Sequence, residues 1–307
     1  MNGSTRSSAA LLWRHQRLVW WVFAVNLLIA WATSLPVRAT LSAVLDHSLE
    51  SAKLVSGFDL ATLVLILERP DVSVRSLAPG AVGAALAFII YLLFIDGGIF
   101  AVFLNDRKLS RAEFFENAGL FFWRMVRLAL CSIVPFALLA AADFAIAGYA
   151  GKLSSDAPQD RLGFFVNIGS KLVIVVAALF VRLWFDLAQA QVVRDNQRQL
   201  TRVLFGSLAL AFRSGKLYMQ YLGIALFAAV TFALGIGVWA YLPHSAMAAS
   251  FLVLELVTLA QIAARLWLKA ASARWVALFP GAPLPYQAAL PPPSVTQVTE
   301  VPSPIPE

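Results

Sequence analysis

AVGAALAFIIYLLFIDGGIFAVFL, residues Ala81–Leu104, carries a single charged side chain, Asp96. A hydrocarbon core about 30 Å thick takes roughly 20 apolar residues of helix to cross, and this run is long enough. Comparable runs stand on either side of it, at Leu18–Leu35, Leu128–Ala150, Leu172–Val193, Tyr218–Leu242 and Ala249–Leu268. Together they predict an all-α, polytopic transmembrane bundle of about six spans.

Composition agrees. Hydrophobic residues make up 60% of the 307 and charged residues only 13%, against about half and about a quarter in soluble chains. The spans and their short connections leave no room for a water-soluble domain of ordinary size. The formal charge of +7 does not point to nucleic acid, because the basic residues sit beside the spans, where they set orientation. The lone Cys131 allows no internal disulfide and reads as a small buried hydrophobe. Arg14 and Arg17 ahead of the first run imitate a secretory signal. That run exceeds the 7–15 residues of an h-region, so an uncleaved first span is expected.

Lys and Arg divide unequally between the two sides. Sixteen fall with Arg6, Arg14, Arg17, the 107–127 segment, the 194–216 segment and Arg265, Lys269 and Arg274; seven fall opposite, from Arg38 to Lys171. Arg182 lies inside a span. The positive-inside rule then puts both termini in the cytoplasm, as an even number of spans requires. Trp20, Trp21, Trp123, Trp267 and Trp275 near inner boundaries, and Trp31 and Trp239 near outer ones, suit the wet–apolar interface.

Three regions follow: a cytoplasmic N-terminal segment (1–17), a six-span domain (18–276) with an external segment (37–80), and a proline-rich, disordered cytoplasmic tail (277–307). Nine of the 15 prolines lie from Pro280 onward, a density no packed helix survives. In the external segment, residues 41–55 recur at helical spacing, and Leu60–Glu68 is too short to span, so it lies in the interface or dips in as a re-entrant piece. Two cytoplasmic segments, Arg111–Arg127 and Gln199–Lys216, mix apolar with basic residues and read as amphipathic interfacial helices. Their Arg111, Arg124, Arg127, Arg198, Arg202, Arg213 and Lys216 are expected to face anionic lipid headgroups, at about 1 kcal/mol each.

An internal repeat joins some of these pieces. Arg182-Leu183-Trp184 and the following residues resemble Arg265-Leu266-Trp267, and Asp96 corresponds to Asp186. About 28 residues beyond each aspartate comes Phe122-Trp123-Arg124 or Ala211-Phe212-Arg213, with Arg127 or Lys216 three further on. The unit is a span, an interfacial helix and a returning span. All copies run the same way, so their symmetry axis lies along the membrane normal, unlike the inverted repeats of many transporters.

The Asp96-Gly97-Gly98-Ile99 patch, with Arg111-x-x-Phe114-Phe115 and Phe122-x-Arg124, resembles a pattern in uncharacterised six-helix bacterial inner-membrane proteins. The multi-span layout is also similar to the membrane domain attached to some glycerophosphodiester phosphodiesterases, whose catalytic domain has no counterpart here. The resemblance implies a fold and a bacterial inner-membrane location; it implies no reaction.

Ionisable groups inside spans are functional candidates by default. Arg182 falls near the midplane, with Asp186 one turn on and on the same face. Glu255 lies toward the outer surface, and Asp96 and Arg265 toward the inner one. These five form a candidate polar network: either a polar pathway, in which Arg182 binds an anionic group while Asp186 or Glu255 carries a proton or cation, or a set of charges fixing helix register. His15, His47 and His244 fall on different segments and both sides, so no metal site is expected, and no cofactor motif, nucleophile–base pair or nucleotide fingerprint is present. The expected role is non-enzymatic: organising membrane lipid, or binding partner membrane proteins or further copies of itself. The alternative is a small-solute transporter using the intramembrane charges.

Overall fold

The computed structural model describes residues 2–45, 74–156, 161–197, 199–243 and 246–278. Among them lie eight helices: α1 (Asn2–Arg14), α2 (Gln16–Leu45), α3 (Val74–Asn105), α4 (Arg111–Asp156), α5 (Arg161–Asp195), α6 (Leu200–Arg213), α7 (Gly215–Tyr241) and α8 (Met247–Ala277). The described residues contain no strand. Six of the helices, α2 to α5, α7 and α8, are long and apolar enough to cross a membrane, which gives a multi-pass helical architecture. The external candidates at 46–73, Arg198, and the tail from 279 lie outside the described residues.

The helices divide into three similar units that close on themselves. The first is α3 with α4, and the second is α5 with α6 and α7. The third joins the two ends of the chain: α8 packs on α1 and α2. Each unit's outgoing helix packs on the incoming helix of the next, α4 on α5, α7 on α8 and α2 on α3, while α3, α5 and α8 touch one another in the middle.

Sequence and burial repeat in step. Asp96, Asp186 and Lys269 occupy one position of the unit, and all are buried. So are Phe100, Ala190 and Ala273 four residues on, and Phe103, Val193 and Val276 seven on. The Phe122-Trp123-Arg124 and Ala211-Phe212-Arg213 motifs have a third copy, Leu12-Trp13-Arg14, again with a basic residue, Arg17, three further on. Six residues before each arginine the side chains are Ala118, Ser207 and Ser8, and one after it Met125, Ser214 and His15; all six are buried.

Hydrogen bonding confirms the third unit. Trp184 of α5 donates its indole N–H to the Leu204 carbonyl of α6 (2.9 Å), and the equivalent Trp267 of α8 donates to Ser8 Oγ of α1 (3.2 Å). Ten residues past Asp96 and Asp186 stand Asp106 and Asn196, with φ of 46° and 48°. This left-handed turn, which Asp and Asn tolerate best after Gly, ends α3 and α5 alike. Each turn accepts an arginine from the preceding unit: Arg14 Nη1 reaches Asp106 Oδ2 (2.8 Å), and Arg124 Nη1 reaches Asn196 Oδ1 (2.5 Å).

Three sequence expectations change. Arg111–Arg127 is not a separate interfacial helix, because it runs without a break into the third span as α4, about 69 Å long at 1.5 Å per residue. The other two units do break there, at His15 and at Ser214-Gly215. Ser214 bends the chain at φ −99°, ψ 44°, and Gly215 weakens helix continuity. The matching residue in α4 is Met125, a good helix former, so nothing stops the helix. At its start, Ser110 N–H donates to Glu113 (2.7 Å) and Glu113 N–H donates to Ser110 Oγ (3.2 Å), a reciprocal capping box. Secondly, residues 2–14 of the N-terminal segment are a helix packed on α8. Thirdly, α2 continues past Pro36 to Leu45, where the first span was expected to end at Leu35; membrane helices accommodate proline in this way.

The buried core is concentrated at one end of the bundle, where α3, α5 and α8 finish and α1 and α6 lie. We call this the basal end. Toward the other end the helices expose apolar side chains such as Ile89, Leu138, Phe144, Leu172 and Leu256, as lipid-facing surfaces do.

Candidate functional site

The five candidate network residues do not form one cluster. They fall into a buried layer near the basal end and an open pair of cavities above it.

In the buried layer Lys269 Nζ stands 2.8 Å from Asp96 Oδ2, with 4% and 6% of the two side chains exposed. The ammonium also donates to Gln189 Oε1 (3.3 Å) and lies 4.9 Å from the Phe100 ring centroid. Gly97 and Gly98 let α4 approach α3 here: a Cβ on Gly98 would meet the Phe114 ring at 2.7 Å, and one on Gly97 would meet Phe121 Cβ at 3.0 Å. Three residues before Gln189 on α5, Asp186 Oδ2 accepts from the Tyr221 hydroxyl (2.9 Å). That hydroxyl also meets the Leu268 carbonyl (3.1 Å) and Ser272 Oγ. Lys269 thus partners Asp96 and Tyr221 partners Asp186, as a low-dielectric interior requires, while Gln189 and Ser272 bond to those partners. Arg182 Nε is 3.9 Å from Asp186 Oδ2, at the edge of ion-pair distance.

Above this layer, Arg182 of α5 and Arg265 of α8 line one cavity of about 500 Å³. The other walls come from α7, where Ala225, Ala228 and Ala229 leave the space and Phe232 bounds it. Gln261 borders it too, its amide held by the Ala228 carbonyl (2.8 Å) and Thr231 Oγ1 (3.4 Å). Arg265 makes no hydrogen bond or ion pair with any described residue, and Asp186, beside Arg182, is the one described acid near the two guanidinium groups. The cavity therefore carries excess positive charge.

A second opening, of about 640 Å³, lies between α2, α3, α7 and α8 and shares Phe232, Gln261 and Arg265 with the first. Its walls are mainly apolar, with Phe23, Leu27, Ala84, Phe88 and Ile262 among them. Asn26 Oδ1 lines it with no hydrogen-bond partner among the described residues. Glu255 is on the same wall, ten residues from Arg265 and so about 15 Å away along α8.

The chain matches no protein-family model, no curated protein and no solved structure.

The residues expected at lipid headgroups are not all alike. Arg111, Arg127, Arg202, Arg213 and Lys216 are exposed. Arg124 is not free to face lipid: besides Asn196 it lies 5.3 Å from the Phe121 ring centroid. Lys269, counted among basic boundary residues from the sequence, is the buried partner of Asp96. The signal for it was present, since Arg182-Leu-Trp-x-Asp186 aligns with Arg265-Leu-Trp-x-Lys269. Tyr221, Gln189 and Ser272 had no local signal. Among the described residues no three His, Cys, Asp or Glu side chains converge as metal ligands.

Proposed function

We propose that this protein is a non-enzymatic inner-membrane protein that binds an anionic amphiphile from the bilayer. The pairing of Arg182 and Arg265 in one cavity, with Asp186 beside Arg182 and no described acid on Arg265, carries this reading. Arginine inside a membrane is costly unless compensated, and its planar donor fork suits phosphate and carboxylate groups. The adjoining apolar opening offers room for acyl chain, so headgroup and tail have separate places. The excess of Lys and Arg at the basal end supports a cytoplasmic position for that end, with Arg111, Arg127, Arg202 and Lys216 toward anionic lipid. The resemblance of the Asp96-Gly97-Gly98-Ile99 patch to six-helix bacterial inner-membrane proteins fits this placement.

Lipid retained by the detergent-purified protein tests the reading. Native mass spectrometry should find anionic lipid held by the wild type through delipidation, and held at least tenfold less by Arg265→Gln and by the Arg182→Gln, Arg265→Gln pair. Arg265→Gln breaks no hydrogen bond or ion pair among the described residues, so its melting temperature should change little. Equal retention of neutral lipid, or equal retention by the variants, overturns the proposal.

A second reading is transbilayer movement of the same ligand, favoured by the continuity of the two cavities along α8. Labelled anionic lipid that is retained by the protein but stays in its original leaflet of reconstituted vesicles would leave binding and remove transport.

A further inference from the structure

We propose that a cleft at the basal end, between α5, α6 and α8, is a second anion site, in which Arg213 binds a phosphate group. The three-unit arrangement carries the inference. In two units the motif arginine reaches an oxygen of the next unit's terminal turn: Arg14 to Asp106, and Arg124 to Asn196. Arg213 is the third member of the set. Its counterpart acceptor would come ten residues after Lys269, and that residue is Phe279, whose side chain has no oxygen.

Arg213 makes no hydrogen bond or ion pair with any described residue and is exposed. It lines a cleft of about 260 Å³ together with Gln191, Arg194 and Trp275. Arg194 is fixed there by Asp195 (2.6 and 2.9 Å) and by the Val276 carbonyl (2.6 Å). Asp195 balances the charge of Arg194, so the cleft keeps the charge of Arg213. Gly206 forms part of the wall, and a Cβ there would find only Gln191 Oε1, at 3.8 Å. The cleft thus offers one uncommitted guanidinium, the Gln191 amide and an open stretch of α6. The cleft exceeds a phosphate group in size, and an arginine–phosphate contact is a strong charge-assisted one. The phosphate belongs either to a phospholipid headgroup or to a free ion.

Titration of the full chain in neutral detergent separates the two sources. The probes are inorganic phosphate and monomeric short-chain phosphatidylglycerol, followed by calorimetry. Arg213→Gln should weaken binding at least tenfold, Arg213→Lys should restore part of it, and Lys108→Gln, at an exposed cation between α3 and α4 that does not line the cleft, should leave it unchanged. Binding of the lipid alone assigns the site to headgroups; equal binding of both probes assigns it to the free ion. Arg213→Gln removes no hydrogen bond or ion pair among the described residues, so an unchanged melting temperature accompanies the loss. The proposal is overturned if the wild type binds neither probe, if Arg213→Gln binds as the wild type does, or if Lys108→Gln loses as much. Lipid retained through Arg182 and Arg265 is unaffected in either case, so the two sites fail independently.

Discussion

Lys269 of α8 and Asp96 of α3 meet at 2.8 Å with almost no solvent reaching either side chain. They hold equivalent positions in two of three repeated units, and the third unit places Asp186 there. Three identical units would bring three carboxylates to the helices that meet in the middle. Lysine in one copy converts that repulsion into an attraction.

Removing one partner strands the other in a medium that cannot solvate it. Lys269→Met or Asp96→Leu alone should destabilise the fold by about 3–5 kcal/mol. The double variant should recover most of the loss, because a fully apolar pair has no desolvation penalty. Thermal unfolding in detergent reads the difference; additive losses in the double variant would show that the two residues act separately.

Gly98 and Phe114 form a close contact whose second-unit equivalents are Ala188 and Val203, both buried. Gly98→Ala should cost about 1–3 kcal/mol through overpacking against the ring. Adding Phe114→Val should relieve it by copying the other unit's solution. A Gly98→Ala variant as stable as the wild type would mean that the Phe114 ring moves aside freely.

The two arginine contacts at helix ends share a geometry but not a burial. Arg14 and Asp106 are 61% and 36% exposed, so Arg14→Gln should cost about 0–1 kcal/mol. Arg124 and Asn196 are partly buried, and Arg124→Gln should cost about 1.5–3 kcal/mol. Melting curves in low and high salt separate them further, since only the exposed pair should weaken with salt.

Because α8 and α1–α2 make one unit, the chain should tolerate re-cutting. A circular permutant joining Leu278 to Asn2 through a loop like residues 196–199, and opened between α4 and α5 within residues 157–160, should fold to the same bundle. Circular dichroism and Trp267 fluorescence compared with the wild type test this. A permutant that is made but does not melt cooperatively would count against the three-unit arrangement.

The membrane class, the six spans and the shared direction of the repeats were legible because apolar length and charge spacing are local properties of the chain. The third unit was less so. Its pieces lie at opposite ends of the sequence, and Leu12-Trp13-Arg14 is informative only once α1 is seen against α8. Continuity of α4 hinged on Met125 standing where the other copies carry His15 and Ser214, a contrast visible only after the copies are aligned. Arg182 and Arg265 were recognisable as costly residues, but their convergence on one cavity depends on three alanines of α7. Asp96 was recognised too, while its partner was hidden among the boundary lysines and arginines. Side-chain pairing between distant helices leaves no periodic trace in the sequence.

The union of first and last helices has a consequence for biosynthesis. A ribosome delivers α1 and α2 well before α8, so they wait through the synthesis of five intervening helices for their permanent neighbour. Until then Ser8 lacks the indole of Trp267, and Asp96 sits in the bilayer without its ammonium. Such a nascent chain exposes unmatched polar groups that membrane insertion factors and proteases can recognise, and release of the finished C-terminal helix is the event that conceals them.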